Sequence, residues 1–274
     1  MTAPTAPINL NDPEMFMEGR HHEALRLIRN SDPVYWNEGG DNWNGFWAIT
    51  KYEDVRFISR NPELFISSKG IAGPGIRPEA LAEMMQNDPA NAAQATGGNA
   101  SVITMDPPRH VKMRLLVNKG FTPRAVNALE PEIRRITNVV LDKIARTGEC
   151  DFVLEVASQL PLAVICGMMG LERDVWPLMF ELTNSVLGSG DPEYQADVPE
   201  EERGSGEAAR RTAMMGRMRM VEYFREVLER RRREPGTDLP SILLESEVDG
   251  EKLTEGDILA FCFLLILAGN ETTR

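Results

Sequence analysis

Two short stretches hold the residue types that move protons and bind anions. The first is Ala268-Gly269-Asn270-Glu271-Thr272-Thr273, which follows the uncharged run 258–268 near the end of the chain. A carboxyl group beside an alcohol can relay a proton. A helical threonine can also bond back to the carbonyl four residues earlier, here that of Ala268, or leave the ladder locally open. Gly269 costs a helix about 1 kcal/mol relative to alanine, and Ala268-Gly269 together remove side-chain bulk. A flat or wide group could then approach the backbone at a notch edged by Glu271 and Thr272. The same residues equally suit a tight helix crossing with a polar tip, and both readings stand at this point.

The second stretch is "MDPPRHVKMRLLVNKGFTPRAV", 105–126. His110 and Arg114 are four residues apart and share one face of a helix, and a wheel at about 100° per residue puts Val117 beside them. Two cations next to an apolar residue suit the holding of carboxylates. Arg109, Lys112 and Lys119 fall on the far side as a basic strip, so a solvated basic helix is the alternative. Asp106 is a good N-cap, and Pro107 and Pro108 fit a first turn, where no N–H partner is needed.

Most of the elements that must position these groups are helices. The patterns predict helices over 107–119, 123–147, 157–170, 173–187, 206–234, 238–246 and 254–274. Thr254 caps the last of these, with Asp257 at the capping-box position. Since 258–268 is apolar all round, this helix is expected to be buried on every side and to cross the middle of the protein. Before 106, "PVYW" and "GFWAIT" read as a hairpin over 33–50 with a turn-rich loop, flanked by the helices "HHEALRLIRN" and "YEDVRFISRN". Residues 68–104 are loop-rich around one short helix, "PEALAEMMQ", and 188–206 is a flexible acidic loop that serves as a linker or a lid. The fold class is mainly α with a small N-terminal β element.

Composition narrows the function classes. The 274 residues carry a formal charge of −12, which argues against a general nucleic-acid binder, because phosphate contacts need clustered Lys and Arg. The N-terminus has no apolar signal segment, and no run reaches the roughly 18 apolar residues that span a bilayer. Cys150, Cys166 and Cys262 have no framework spacing and read as reduced thiols in a cytoplasmic protein. No metal cluster of His and Cys is visible. The 14 methionines, including "MMGRMRM" (214–220), suggest adaptable apolar surfaces.

Taken together and in this order, "AGNETTR" at the end of a long apolar helix and "DPPRHVKMR" before it resemble two motifs of the haem-thiolate monooxygenases, the cytochrome P-450 superfamily, bacterial soluble type. The first resembles the family's oxygen-binding motif and the second its haem-contacting helix. The likeness covers essentially the whole of residues 1–274, as a single incomplete domain of truncated P-450 fold with a helical body over 106–274. It implies haem b as cofactor, its propionates bound by His110 and Arg114, with Ala268 and Gly269 giving room over the haem for O2. It implies that Glu271 and Thr272 relay protons and that Leu264, Leu267, Val102 and Ile103 face the substrate. The loops 68–104 and 188–206 would roof the pocket, and the basic strip would dock a ferredoxin-type electron donor. The family's cysteine ligand and its Glu-x-x-Arg motif would lie beyond Arg274, so the chain is expected to be the N-terminal part of an oxygenase and inactive alone. The candidate pocket shows only Leu, Phe, Ala and Met, which implies a small apolar substrate. The motif wording favours a steroid or branched lipid over a terpene or fatty acid. A helical fragment without activity, or a binding module for an apolar ligand, are the alternatives outside catalysis.

Overall fold

The computed structural model describes residues 8–40, 44–68, 82, 101–118, 121–248 and 250–273. The chain divides into two compact units, 1–111 and 112–274. In the first, helices α1 (Pro13–Met17) and α2 (His21–Ser31) precede a two-stranded antiparallel sheet, and α3 (Tyr52–Arg60) follows it. Strands β1 (Val34–Asn37) and β2 (Phe46–Ile49) pair in the register Val34 to Ile49. Aromatic residues hold that register: Trp36 and Trp47 are direct cross-strand partners with rings 5.0 Å apart. The buried Asn37 side chain accepts the Leu10 N–H at 2.7 Å, and the Tyr35 hydroxyl donates to the Ile8 carbonyl at 2.7 Å. These two bonds tie the N-terminal segment to the sheet.

The linking helix α4 (Arg109–Asn118) begins two residues later than the sequence suggests. Asp106 does not act through its side chain as a local cap. Its carboxylate accepts the backbone N–H groups of Ser67 (2.6 Å) and Ser68 (3.2 Å), and its carbonyl accepts the His110 N–H. A bond spanning 39 residues leaves no local trace in sequence. Apart from Ala82, the expected helix "PEALAEMMQ" lies outside the described residues, as does nearly all of the loop 68–104.

The second unit is helical. Its elements are α5 (Pro123–Asn127), α6 (Glu130–Ile144), a π-helical turn at Val153–Ala157, α7 (Gln159–Met168), α8 (Trp176–Leu187), α9 (Gly206–Arg233), α10 (Leu239–Leu244) and α11 (Glu255–Glu271). Leu129, Ala128 and their neighbours divide what the sequence suggests as one helix over 123–147 into α5 and α6. A small hairpin that the sequence does not reveal, β3 (Glu247–Val248) with β4 (Glu251–Lys252), leads into α11. Ser205 caps α9, Asp238 caps α10 and Thr254 caps α11, each side chain accepting a first-turn N–H.

Helix α11 packs against α7, α8, α9 and α10. Ile258, Cys262 and Ile266 are at most 1% exposed, as an all-apolar helix in a core requires. The expectation of burial on every side is corrected on one flank: Leu264 and Leu265 are half-buried and Ala268 is exposed. The acidic segment 188–206 is internally tied instead of open. Gln195 is fully buried, donating to the Ser189 carbonyl and accepting the Gly204 N–H, both at 2.7 Å. Arg203 donates to the Val198 carbonyl at 3.1 Å. No described helix is long and apolar enough to cross a membrane.

Candidate functional site

The end of α11 sorts the candidate residues by side. At about 100° per residue, Leu264, Ala268 and Thr272 form one stripe, while Leu267 and Gly269 lie roughly a quarter-turn to either side of Ala268. Burial follows this division, with Ala268 and Thr272 exposed, Leu264 half-buried and Leu267 buried. The Thr272 hydroxyl donates to the Ala268 carbonyl at 2.7 Å, the back-bond that the sequence suggests. Thr272 therefore holds its oxygen at a fixed place on the open flank, with lone pairs still able to accept. Glu271 is the last residue of α11, and its side chain is outside the described set.

Gly269 needs a correction. A Cβ built there would run into Ile165 Cδ1, with Ile165 Cγ1 at 3.4 Å. The space left by the missing side chain is taken by α7, so this glycine permits a close helix crossing and does not open the exposed flank. Bulk is removed on that flank by Ala268. Leu267, expected to face substrate, is turned into the core, since α11 is covered on that side. Asn270, between the glycine and the acid, is fully buried, and neither its amide nitrogen nor its carbonyl oxygen has a hydrogen-bond partner among the described residues. Sequence reading passed over Ile165 and Asn270 because nothing local marks which neighbour meets a given side of a buried helix.

On α4, His110 and Arg114 lie one turn apart on the same face, His110 half-buried and Arg114 exposed. The Asp106 carboxyl is held below its ordinary range by hydrogen bonds from Ser68 and Ser67, with a smaller electrostatic contribution from the neighbouring His110. Arg109 is exposed and Lys112 half-buried, and Lys119 lies outside the described residues. Val102 and Ile103 sit in a 3-10 turn, Val102–Thr104, with Val102 half-buried and Ile103 exposed.

The described residues contain no cluster of His, Cys, Asp and Glu fit to hold a metal. Cys166 and Cys262 are completely buried, and burial pushes both thiols up to about 12. Neither is disposed to exist as a thiolate. Cys150 is exposed.

No protein-family model matches the chain. A steroid C26-monooxygenase of Mycolicibacterium smegmatis is 31% identical over 281 residues, covering 100% of this chain and 60% of that protein. A solved Mycobacterium marinum cytochrome P-450 in complex with pseudoionone superposes on 99% of the chain and 63% of its own length, with a TM-score of 0.78 at 28% identity. The chain belongs to the cytochrome P-450 superfamily. A second P-450 relative, the methyl-branched lipid omega-hydroxylase of Mycobacterium bovis, is 37% identical over 259 residues, covering 92% of the chain and 54% of that protein. The chain thus spans a little over half the length of the curated P-450 relatives it matches. Its mainly helical P-450 fold, with the small N-terminal β element, is as the sequence implies.

Proposed function

We propose that the chain is part of a haem-dependent monooxygenase that inserts one oxygen atom of O2 into an apolar substrate, a steroid or a branched lipid. The observation that carries this reading is the Ala268–Thr272 flank of α11, a small residue and a fixed hydroxyl facing outward from a core helix. The names of the two relatives support the substrate class.

The residues present fit haem b. His110 and Arg114 are donors on one helix face, matched to two propionate carboxylates by charge-assisted hydrogen bonds. Ala268 leaves the α11 flank free of a bulky side chain. When bound, haem supplies the iron centre at which dioxygen is reduced. Thr272, with Oγ1 fixed on the open flank, would hold and pass on a proton there, and the Glu271 carboxyl would replace it, which would limit the loss of reduced oxygen as peroxide. Leu264 presents an apolar surface to substrate on the same stripe. The folded segment 188–206 roofs the substrate space. The positive face with Arg109 and Lys112 receives an acidic electron donor of the ferredoxin type.

The test uses the full-length enzyme. Thr272→Ala should raise peroxide released per electron consumed several-fold with little change in haem content, measured by coupled NADH and peroxide assays. Unchanged coupling would remove Thr272 from the relay.

A further inference from the structure

Helix α9 carries one arginine whose situation differs from that of its neighbours. Arg210 pairs with Glu207, Arg211 with Glu202, Arg219 with Glu181, Arg225 with Glu255, and Arg232 with Glu229 and Glu255. Arg217, in the same run, meets no described carboxylate. It is half-buried, and its guanidinium lies over the Phe263 ring of α11, 5.1 Å from the centroid. Burial alone pulls its pKa down from the ordinary arginine value, with no anion opposing the effect, yet guanidinium stays charged at neutral pH.

A cation partly withdrawn from water without an anion is unfavourable. Stacking on Phe263 offsets only part of this, about 0.5–2 kcal/mol. The cation–π contact with Phe263 supplies no hydrogen-bond acceptor, so the guanidinium N–H fork is left suited to take a carboxylate through two parallel hydrogen bonds. The walls are apolar. Met214 and Met218 are 40% and 59% exposed, and at about 100° per residue both lie on the same side of Arg217, within roughly a quarter-turn of it. Phe263 directly precedes Leu264, the first residue of the open stripe on α11. Thioether side chains adapt to irregular apolar shapes. A cationic fork among Met and Phe is complementary to a molecule with one acid group and an apolar body. An acidic protein surface fits less well, because it would bring many charges to a chain that is already at −12.

We propose that Arg217, stacked on Phe263 beside Met214 and Met218, binds the carboxylate of an apolar monocarboxylic acid. This deepens the monooxygenase reading and rests on it for the claim that the bound acid is the substrate: acid-bearing lipids are preferred over their neutral counterparts. The sequence reading, which saw no charge in the candidate pocket, missed this residue. The one signal available was an arginine at the centre of "MMGRMRM".

The test is equilibrium binding, which needs neither turnover nor haem chemistry, on the 274-residue chain and on the full-length haem enzyme. The probes are palmitate against methyl palmitate, and cholanate against methyl cholanate. In the native protein at least one acid should bind about tenfold or more tightly than its ester. Arg217→Gln should bring acid and ester to equal affinity while leaving the ester unchanged, and Arg217→Lys should keep part of the preference. The pair showing the preference identifies the lipid as fatty or steroidal. Equal binding of acid and ester by the native protein, no binding of either, or a preference that survives in Arg217→Gln would each overturn the proposal. If Arg217→Gln fails to fold, judged by circular dichroism, the native acid-to-ester ratio and Arg217→Lys decide the matter. A preference for acids in an enzyme that does not oxygenate them would sink the monooxygenase reading and leave the binding site. Oxygenation of lipids with no acid preference would do the reverse.

Discussion

At the scale of single residues, Gly269 and Thr272 have separate tasks although they are one turn apart. Thr272 Oγ1 is fixed on the exposed flank by the Ala268 carbonyl, whereas the missing side chain of Gly269 is what lets Ile165 of α7 approach. Replacing Gly269 with alanine gains about 1 kcal/mol of helix propensity but overpacks a crossing in a filled core, at a cost of about 1–3 kcal/mol. Ile165 is itself buried, so its Cδ1 has little room to swing away. Gly269→Ala should therefore destabilise the chain by about 1 kcal/mol in urea unfolding. Ile165→Val removes the clashing methyl, and on that background Gly269→Ala should become neutral or stabilising by up to about 1 kcal/mol. Additive effects in this double-mutant cycle would mean that Ile165 does not claim the space. A change in the haem spectrum at unchanged stability would return Gly269 to the open flank.

At the scale of elements, the end of α9 is fastened to α10 by a buried ion pair, and the start of α11 is fastened to α9 by an exposed one. Arg231 reaches both Asp238 and the Gly170 carbonyl, while Asp238 also caps α10 by accepting the Ser241 N–H at 3.0 Å. The two side chains are 17% and 10% exposed. Asp238→Ala removes the cap and strands a cation, so it should cost about 3–5 kcal/mol. Glu255→Ala breaks its bonds with Arg232 and Arg225 in solvent and should cost under about 1 kcal/mol. The hydrogen bond from Arg232 is the largest cause holding the Glu255 carboxyl below its ordinary range. Its small contribution is therefore present above the unfolded carboxyl pKa and lost as pH falls through the folded one. A cost for Glu255→Ala equal to that of Asp238→Ala would reject this ranking. Most of this architecture was legible in sequence, because helices such as α2 carry their apolar period locally, and α11 carries its unbroken uncharged run and its cap Thr254. The hairpin β3–β4 was not, since two-residue strands have no period to read. The burial of Gln195 was hidden for another reason: its partners Ser189 and Gly204 give an acidic, Gly-rich segment a polar centre that composition reports as linker. Asp106 was misread as a cap because its true partners are Ser67 and Ser68.

At the scale of the whole molecule, the question is where a thiolate ligand for haem would come from. The likeness to P-450 monooxygenases requires one, and the chain spans 60% and 54% of two relatives' lengths. Cys166 and Cys262 lie in the packed faces of α7 and α11 and are held as neutral thiols by burial, their pKa pushed up to about 12. Ligation by either would require both deprotonation and the opening of a core helix. For a thiol with a raised folded pKa, the stabilising effect is fully present below the unfolded value of about 8.5. It is lost as pH climbs toward the folded one, so the chain should lose stability progressively above about pH 9. Iodoacetamide at pH 8 should label Cys150 in the folded chain and all three cysteines after unfolding, read by mass spectrometry. On the same ground, the 274-residue chain mixed with ferrous haem and carbon monoxide should give no thiolate-type Soret band. A polypeptide extended to the length of its relatives should give one, and His110→Ala with Arg114→Ala in that longer protein should weaken haem retention. A thiolate band from the 274-residue chain would place the ligand on one of its own cysteines. The alkylation pattern would then name it, because only a cysteine protected by haem and reactive without it could be the ligand.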